Sequence, residues 1–149
     1  TDRAIPPGIR PDAAFANRRD VLTADIPSMG TMTARGAARL YAALLGHVDG
    51  VELVSPARRT EMATVQFEGH DEVMDMPTAW AFGFSPHRPG GVPSRPGSTF
   101  GMVGMNGSAA YADIDTGVAV AVMRNRFGGG LDAVAEIDRI VAETCNERT

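Results

Sequence analysis

The feature that most limits how this chain folds is segment 86–98, which holds four prolines and three glycines. Proline lacks a backbone N–H and fixes φ, and glycine adopts left-handed backbone freely, so no regular helix or strand is expected to cross this segment. Helical patterns dominate the chain before it, and strand patterns lie next to it and after it. The predicted order is helix, helix, three strands, helix. Short connections make the strands antiparallel, which predicts the α+β class: a sheet of about three strands with flanking helices.

Two helices are predicted in the first half. The first follows a turn at 27–30, begins with Thr31 or Thr33 as N-cap and ends at Gly46 in a left-handed conformation. Its apolar stripe consists of Leu40, Tyr41, Leu44 and Leu45. The second helix begins at Ser55-Pro56, a cap followed by proline at the first helical position, and ends near Thr64.

The three strands are predicted over residues 79–85, 99–112 and 118–123. In the first, aromatic residues at 80, 82 and 84 alternate with small ones, which is typical of a strand with one aromatic face. Residues 113–117 are expected to form a hairpin turn. The third strand is a continuous apolar run, which predicts burial on both faces.

Two further segments complete the predicted fold. The acidic, irregular stretch 67–77 is expected to be a surface loop. A last helix opens at residue 131, and an apolar stripe on it is expected to cover the sheet: Leu131, Val134, Ile137, Val141 and Ile140.

Composition excludes several classes of function. The net charge of −4 gives no attraction to nucleic acid or to an anionic membrane, and no apolar run approaches the roughly 20 residues that span a bilayer. Cys145 is the only cysteine, so an internal disulfide is impossible. The first eleven residues contain no apolar signal-peptide core. A cytoplasmic location is therefore favoured. The three histidines, 47, 70 and 87, are too far apart for a local metal motif, and no cofactor is predicted.

All 14 basic residues are arginines. Arginine stays protonated in proteins and cannot become the neutral amine base that a lysine can. A mechanism that needs a lysine base is therefore not available to this chain alone.

Five segments, in order between Pro27 and Phe127, resemble landmarks of the serine β-lactamase-like hydrolases and esterases and the penicillin-binding proteins. They are GTMTARGAARLYAALL at 30–45, LVSP with the following EM at 53–62, WAFGF at 80–84, FGMVGMNGS at 100–108, and AD with the following VMRNR at 112–126. Each string is short, and their common order is what makes the resemblance specific. It implies that 27–149 is the C-terminal part of such a domain, with 1–26 as an extended lead-in that includes a short helical piece around 13–19.

The resemblance also implies how that family reacts. A Ser-x-x-Lys motif supplies the nucleophile and its activating amine, and a Tyr-x-Asn type motif assists proton transfer. No serine here is followed by lysine, and neither Tyr41 nor Tyr111 begins a Tyr-x-Asn motif. Ser108 lacks the Gly-x-Ser-x-Gly turn of another nucleophile class. No catalytic residue is therefore predicted within the chain.

The family's third motif lies on a strand lining the cleft, and it aligns with Met102-Val103-Gly104. Methionine stands where histidine or lysine is common, and it can neither donate a proton nor carry charge. The resemblance implies a substrate-binding wall formed by Met102, Val103, Gly104, Met105 and Asn106. In it, the N–H of Met105 would stabilise an oxyanion and Gly104 would let substrate approach. The alternative is a glycine-punctuated strand that packs methionines in a core, with a type I′ turn at Asn106-Gly107.

The predicted function is esterase-like acyl transfer by a serine hydrolase of this family, with a small acyl ester or amide as substrate and the nucleophile outside this chain. A non-catalytic binding or interaction domain is the alternative. In either case the chain is expected to present an incomplete apolar face, covered by a second chain: the N-terminal part of the protein or another copy. The single tryptophan, Trp80, is expected in the core rather than stacked on a ligand.

Overall fold

The computed structural model describes residue 9 and residues 12–24, 30–126 and 130–146. Within them lie helices α1 (Ala13–Ala16), α2 (Arg19–Leu22), α3 (Ala34–Leu44), α4 (Pro56–Ala63) and α5 (Asp132–Asn146), and strands β1 (Phe67–Asp71), β2 (Met76–Trp80), β3 (Thr99–Val103), β4 (Ala109–Asp113) and β5 (Val118–Val122). Strands β3, β4 and β5 form an antiparallel sheet in that order, and β1 and β2 form a separate antiparallel hairpin. The predicted α+β class is confirmed.

The three-stranded sheet lies between helices. Phe100 of β3 is fully buried on the face toward α3, where its ring stacks on Tyr41 at 6.0 Å and meets Phe84 edge-on at 5.4 Å. The core on this side contains Leu45, Met62, Ala63, Phe100 and Ala112. Tyr111 of β4 points to the other face and donates a hydrogen bond to Asp138 of α5. The last helix therefore contacts the sheet through a buried carboxylate and not through the predicted apolar stripe.

Both predicted early helices have the expected ends. The Thr33 hydroxyl accepts a hydrogen bond from the N–H of Gly36, and Gly46 has φ +79° just after α3. Ser55 caps α4 in the same way, and Thr64 is its C-cap. The helical piece expected around 13–19 corresponds to α1 and α2. The boundary at residue 26 stays a prediction, and residues 27–29 lie outside the described residues.

The surface loop predicted over 67–77 is wrong, because this stretch forms the β1–β2 hairpin. Both strands are largely exposed on both faces, so they lack the alternation of apolar and polar residues that marks a half-buried strand. The turn between them is held by the Asp71 carboxylate, which accepts hydrogen bonds from the N–H groups of Val73 and Met74.

The strand predicted over 79–85 is also mostly wrong. Strand β2 ends at Trp80, and the chain then turns at Gly83 with φ +76° while the N–H of Ala81 donates to the carbonyl of Phe84. Only Ser85 rejoins the sheet, through an isolated antiparallel bridge to Gly101. The aromatic alternation misled because Phe84 packs in the core while Phe82 is exposed.

The segment predicted as one strand over 99–112 is two strands joined by a tight turn. The N–H of Gly107 donates to the carbonyl of Gly104, and the N–H of Gly104 donates to Ser108. Gly107 has φ +80°, but Asn106 has no positive φ. A type I′ turn requires positive φ at both central residues, so the predicted type I′ turn at Asn106-Gly107 is wrong.

Two burial predictions fail. Strand β5 was expected to be buried on both faces, but all its residues are only half-buried because β5 is an outer strand of the sheet. On α5 the buried face runs through Val134, Asp138 and Ala142, whereas Ile137 and Ile140 are exposed. The Asp138 carboxylate faces the sheet. A prediction based on apolar residues alone does not include it in the buried face. The hairpin turn at 113–117 is confirmed, with the N–H of Gly117 bonded to the carbonyl of Asp113.

Candidate functional site: the open end of strand β3

The five predicted substrate-binding residues lie at one corner of the sheet. Met102 and Val103 end strand β3, and Gly104, Met105 and Asn106 form the turn into β4. Strand β3 is an outer strand of its sheet, so one of its edges does not face β4. This edge decides what the corner can bind.

Only the first part of that edge is paired. The N–H of Ser85 donates to the carbonyl of Gly101 at 2.8 Å, and the N–H of Gly101 donates back at 3.1 Å. Backbone groups two residues apart on a strand face the same edge, so those of Val103 follow those of Gly101. Within the described residues no strand pairs with Val103 on this side. The outer edge of β3 at Val103 therefore has no neighbouring strand among the described residues.

The turn presents the predicted donor. Its hydrogen bonds engage the N–H groups of Gly104 and Gly107, while the N–H of Met105 has no acceptor among the described residues. Met105 as a residue is 68% exposed, so this part of the turn lies at the protein surface. A free backbone N–H beside an open strand edge is the kind of donor that stabilises a developing oxyanion.

Close approach at this corner is possible because residue 104 is glycine. A Cβ atom placed there would lie 3.3 Å from Asn106 Oδ1 and 3.5 Å from the carbonyl oxygen of Ser108, a tight fit that small shifts of the turn can relieve. Gly101 differs, because a Cβ there would run into Tyr111 and lie 2.6 Å from the carbonyl oxygen of Ala110. Glycine at 101 is needed for strand packing, whereas glycine at 104 leaves room above the backbone.

Asn106 has a different part from the other four predicted residues. Its side-chain oxygen accepts a hydrogen bond from the N–H of Ser108 at 3.3 Å, which holds the turn. It does not line the groove described next. The structure therefore brings Met102, Val103, Gly104 and Met105 together at an open surface, whereas the Asn106 side chain stabilises the turn.

A groove of about 550 Å³ runs along this corner. Its lining comes from the β1–β2 hairpin and its turn, from the loop after β2, from the end of β3, and from the start of the last helical segment: Asp71, Met74, Met76, Pro77, Thr78, Ala79, Trp80, Ser85, His87, Met102, Val103, Gly104, Met105 and Leu131. The volume falls in the range typical of small-molecule sites.

Sequence reasoning missed the hairpin wall of this groove. Trp80 was expected in the core, but it is 37% exposed and lines the groove. Met74 and Met76 lie in the stretch interpreted as an acidic loop, and Trp80 lies in the strand predicted over 79–85, so no single predicted element contained this wall.

The groove contains little charge. Its ionisable lining residues are Asp71 and His87, and no arginine is among them. Hydrogen bonds from the N–H groups of Met74 and Val73 lower the pKa of Asp71, so it is a carboxylate at neutral pH. Within the described part of the chain, no group of three residues could hold a metal ion.

Next to this corner lies a buried polar network that is closed to ligands. The Arg88 guanidinium donates to Asp138 Oδ1 at 2.8 Å and to the Tyr111 hydroxyl at 3.2 Å, and that hydroxyl donates to the same carboxylate oxygen at 2.5 Å. The other carboxylate oxygen accepts from the N–H of Gly90 at 3.0 Å. The network ties segment 86–98 to β4 and α5.

Neither tyrosine is available as a proton carrier. Burial, together with the bond to Asp138, raises the pKa of Tyr111 well above its usual range. Burial also raises the pKa of Tyr41, which lies in the aromatic cluster with Phe84 and Phe100. The Ser108 hydroxyl accepts a hydrogen bond from the N–H of Arg124 at 3.1 Å, so it too has a structural partner.

The comparisons with known proteins agree with this arrangement. The family model named Beta-lactamase matches residues 3–144. The chain belongs to the β-lactamase family. Among the relatives of this β-lactamase-family chain is "Esterase/beta-lactamase LipL" of Mycobacterium tuberculosis (strain ATCC 25618 / H37Rv), 34% identical over 123 residues, which cover 77% of this chain and 27% of that protein.

Two solved structures share the fold of this β-lactamase-family chain. One is a novel penicillin-binding protein homologue from Caulobacter crescentus, with a TM-score of 0.62 and 33% identity over 74% of this chain and 31% of that one. The other is EstA from Arthrobacter nitroguajacolicus Rue61a, with a TM-score of 0.56 and 20% identity over 75% and 32%, a likeness of fold alone. The chain thus spans under a third of the length of each of these proteins. Among its described helices, none is both long and apolar enough to cross a membrane.

Proposed function

We propose that this chain forms one wall of the acyl-binding cleft of a serine hydrolase with esterase-like activity, and that the nucleophile and its activating base lie outside residues 1–149. The observation that carries the proposal is the open end of β3, where the unbonded N–H of Met105 stands beside Gly104 and the unpaired edge of Val103. This corner offers backbone donors and space, which is what an acyl group needs from a cleft wall.

The same corner lacks the groups that break bonds. The chain has no lysine, Met102 occupies the strand position where the family often has a base or a cation, and both tyrosines are bound in packed clusters. Covalent acyl transfer depends on an activated nucleophile. A chain with binding groups and no activated nucleophile fits a cleft wall completed from elsewhere.

The exposed outer strand supports a partner for this wall. Val118, Val120 and Val122 of β5 are half-buried, and within the described residues no strand pairs with the outer edge of β5. An unpaired apolar edge invites another strand. We propose that a second polypeptide segment covers it, either the N-terminal part of the same protein or another copy.

A fluorophosphonate probe tests the proposal, because it labels activated serines covalently. The protein from its natural source is treated with the probe, and its intact mass and the labelled peptide are determined. We expect an adduct on a serine outside residues 1–149, and no turnover of a p-nitrophenyl ester or of nitrocefin by residues 1–149 alone. Turnover by this chain that Ser108→Ala abolishes would contradict the proposal.

A non-catalytic binding domain is the alternative function. It is favoured by the open groove, in which Met102 supplies neither a base nor a cation. It predicts no adduct anywhere in the source protein, although ligands still bind the groove. The labelling experiment therefore separates the two functions.

A further inference from the structure

The groove at the end of β3 has apolar walls on both sides. Met74, Met76 and Trp80 line it from the β1–β2 hairpin, and Met102 and Met105 line it from the other side. Four of the chain's eight methionines are thus gathered at one surface. Methionine is unbranched and polarisable and adapts its shape to flexible apolar partners.

These side chains are exposed in the absence of a ligand. Met76 is 51% exposed, Met105 68% and Trp80 37%. Covering such side chains with an apolar group is favourable by roughly 25 cal/mol for each Å² of apolar surface removed from water. The groove is therefore a surface on which an apolar group is stabilised.

The charge of the groove argues against an anionic occupant. A carboxylate placed there would meet no arginine and would lie near the Asp71 carboxylate. Removing a carboxylate from water without a cationic partner is unfavourable. Only His87 among the lining residues can become positive, and its side chain is exposed.

We infer that this groove binds the apolar acyl chain of a neutral ester, and that Met76, Trp80 and Met105 select for chain length. The inference rests on the proposed function, because the groove ends at the backbone where the ester carbonyl would bind. Met105 belongs to both places, since the residue lines the groove while its N–H has no acceptor among the described residues. An acyl chain in the groove would place its carbonyl group at that amide.

The inference predicts a graded dependence on acyl length. Burial of one methylene group contributes about 0.8 kcal/mol, which corresponds to an affinity increase of up to about fourfold for each methylene. The increase continues until the groove is filled and then levels off. An anion of the same length binds at least about tenfold more weakly, because no cation receives its charge.

Trp80 makes binding measurable on this chain without any turnover. It is the only tryptophan and it lines the groove, so its fluorescence reports whether the groove is occupied. Residues 1–149 are titrated with the methyl esters of butanoic, hexanoic and octanoic acid, and with sodium hexanoate. We expect the emission to shift to shorter wavelength, with affinity rising from butanoate to octanoate ester and weak binding of the anion.

Matched substitutions separate the groove from unspecific binding. Met105→Gln and Met76→Gln each replace an exposed methionine of the groove and are expected to weaken ester binding by about fivefold to tenfold. Ile140→Gln replaces a residue of similar exposure (49%) on α5, outside the groove lining, and should leave binding unchanged. Circular dichroism confirms that all three variants fold.

The inference is overturned if affinity does not depend on acyl length, if hexanoate binds as tightly as its methyl ester, or if Ile140→Gln weakens binding as much as Met105→Gln. It fails separately from the proposed function. Length-dependent binding without a labelled serine in the source protein would contradict the proposed hydrolase function and support the acyl-binding groove. A labelled serine with an affinity that does not depend on acyl length would support the hydrolase function and overturn this inference.

Discussion

Two regions of this molecule lie close together on the same sheet and are built on opposite principles. The Arg88–Asp138–Tyr111 network is charged, buried and joined by several hydrogen bonds, with side chains of Arg88 and Asp138 exposed by only 5% and 0%. The corner at Gly104 and Met105 is apolar and exposed, and it keeps a backbone donor unused. The first region uses its polar groups in bonds within itself, and the second keeps a backbone N–H that has no acceptor among the described residues.

The difference shows that chemical character alone does not mark a functional site in this fold. A cluster of arginine, tyrosine and aspartate resembles an active centre, yet each of its donors and acceptors already has a partner. The methionine-lined corner resembles ordinary surface, yet it has volume, an open strand edge and an unpaired amide. The availability of groups separates the two regions better than their type.

The largest effect is expected from breaking the buried network. Asp138→Ala leaves the buried Arg88 guanidinium with only the Asp113 carboxylate, 3.9 Å away, so we expect the free energy of unfolding to fall by about 3 kcal/mol in urea denaturation. Glu136→Gln removes an exposed partner of Arg139 on the same helix and should cost far less stability, because solvent screens this pair.

If Asp138→Ala does not fold, Tyr111→Phe tests the same point. It removes only the hydroxyl that bonds to Asp138 and is expected to cost about 1–3 kcal/mol. A cost no greater than that of Glu136→Gln for both variants would show that the network does not stabilise the fold.

Two glycines on β3 and its turn extend the comparison to the backbone. Gly101→Ala brings a methyl group into Tyr111 and the Ala110 carbonyl, so we expect a loss of about 1–3 kcal/mol in stability. Gly104→Ala brings a methyl group to 3.3 Å from Asn106 Oδ1, which is tight but can be relieved by small shifts, so it should cost less stability than Gly101→Ala. Its effect is expected on ester affinity, measured by Trp80 fluorescence, because the methyl group occupies the approach to Met105. Equal stability losses for the two variants would contradict the distinction.

The outer edge of β5 is expected to control association. Sedimentation at micromolar concentration should show a mass above the 15.7 kDa of the single chain. Val118→Lys places a charge on the exposed strand and should restore the monomer, whereas Ile140→Lys on α5 should not. A monomer at every concentration would leave self-association without support and point to a segment outside this chain as the cover.

The smallest effect is expected from the exposed ion pair between Arg95 and Asp115. The Arg95 guanidinium donates one hydrogen bond to each Asp115 carboxylate oxygen, both at 2.7 Å. Hydrogen bonds from Arg95 lower the pKa of Asp115 in the folded protein. The pair therefore adds stability that is complete above the unfolded pKa of about 3.9 and is lost as the pH falls through the lower folded value. Because solvent screens the pair, the contribution should be the smallest of those predicted here. Comparing the acid unfolding of Arg95→Met with that of the wild type measures it, and identical profiles would exclude any contribution.

The sequence predicted those elements whose residues interact locally, and it missed those that depend on distant contacts. Local rules were sufficient for helices α3 and α4, because caps such as Thr33 and Ser55 act within one turn. The order of short motifs located the β3 corner. The β1–β2 hairpin was missed because exposure on both faces removes the periodicity on which a strand prediction depends.

The remaining errors concern contacts between distant parts of the chain. Asp138 interrupts an otherwise apolar face of α5, and only its partner Arg88, fifty residues away, explains it. The burial of β5 depends on its place at the edge of the sheet, which no local pattern encodes. The groove likewise exists only because the hairpin and the end of β3 meet in space.

The central claim is that the N–H of Met105 is held free to bind the carbonyl oxygen of an acyl substrate. Amide proton and nitrogen chemical shifts, recorded while residues 1–149 are titrated with methyl hexanoate, test it at that atom. The account predicts a downfield shift of the Met105 amide proton that saturates with the Trp80 fluorescence change, while the amide of Gly101, already bonded to Ser85, stays nearly unchanged. Saturation of the fluorescence change without any shift at Met105 would contradict the claim.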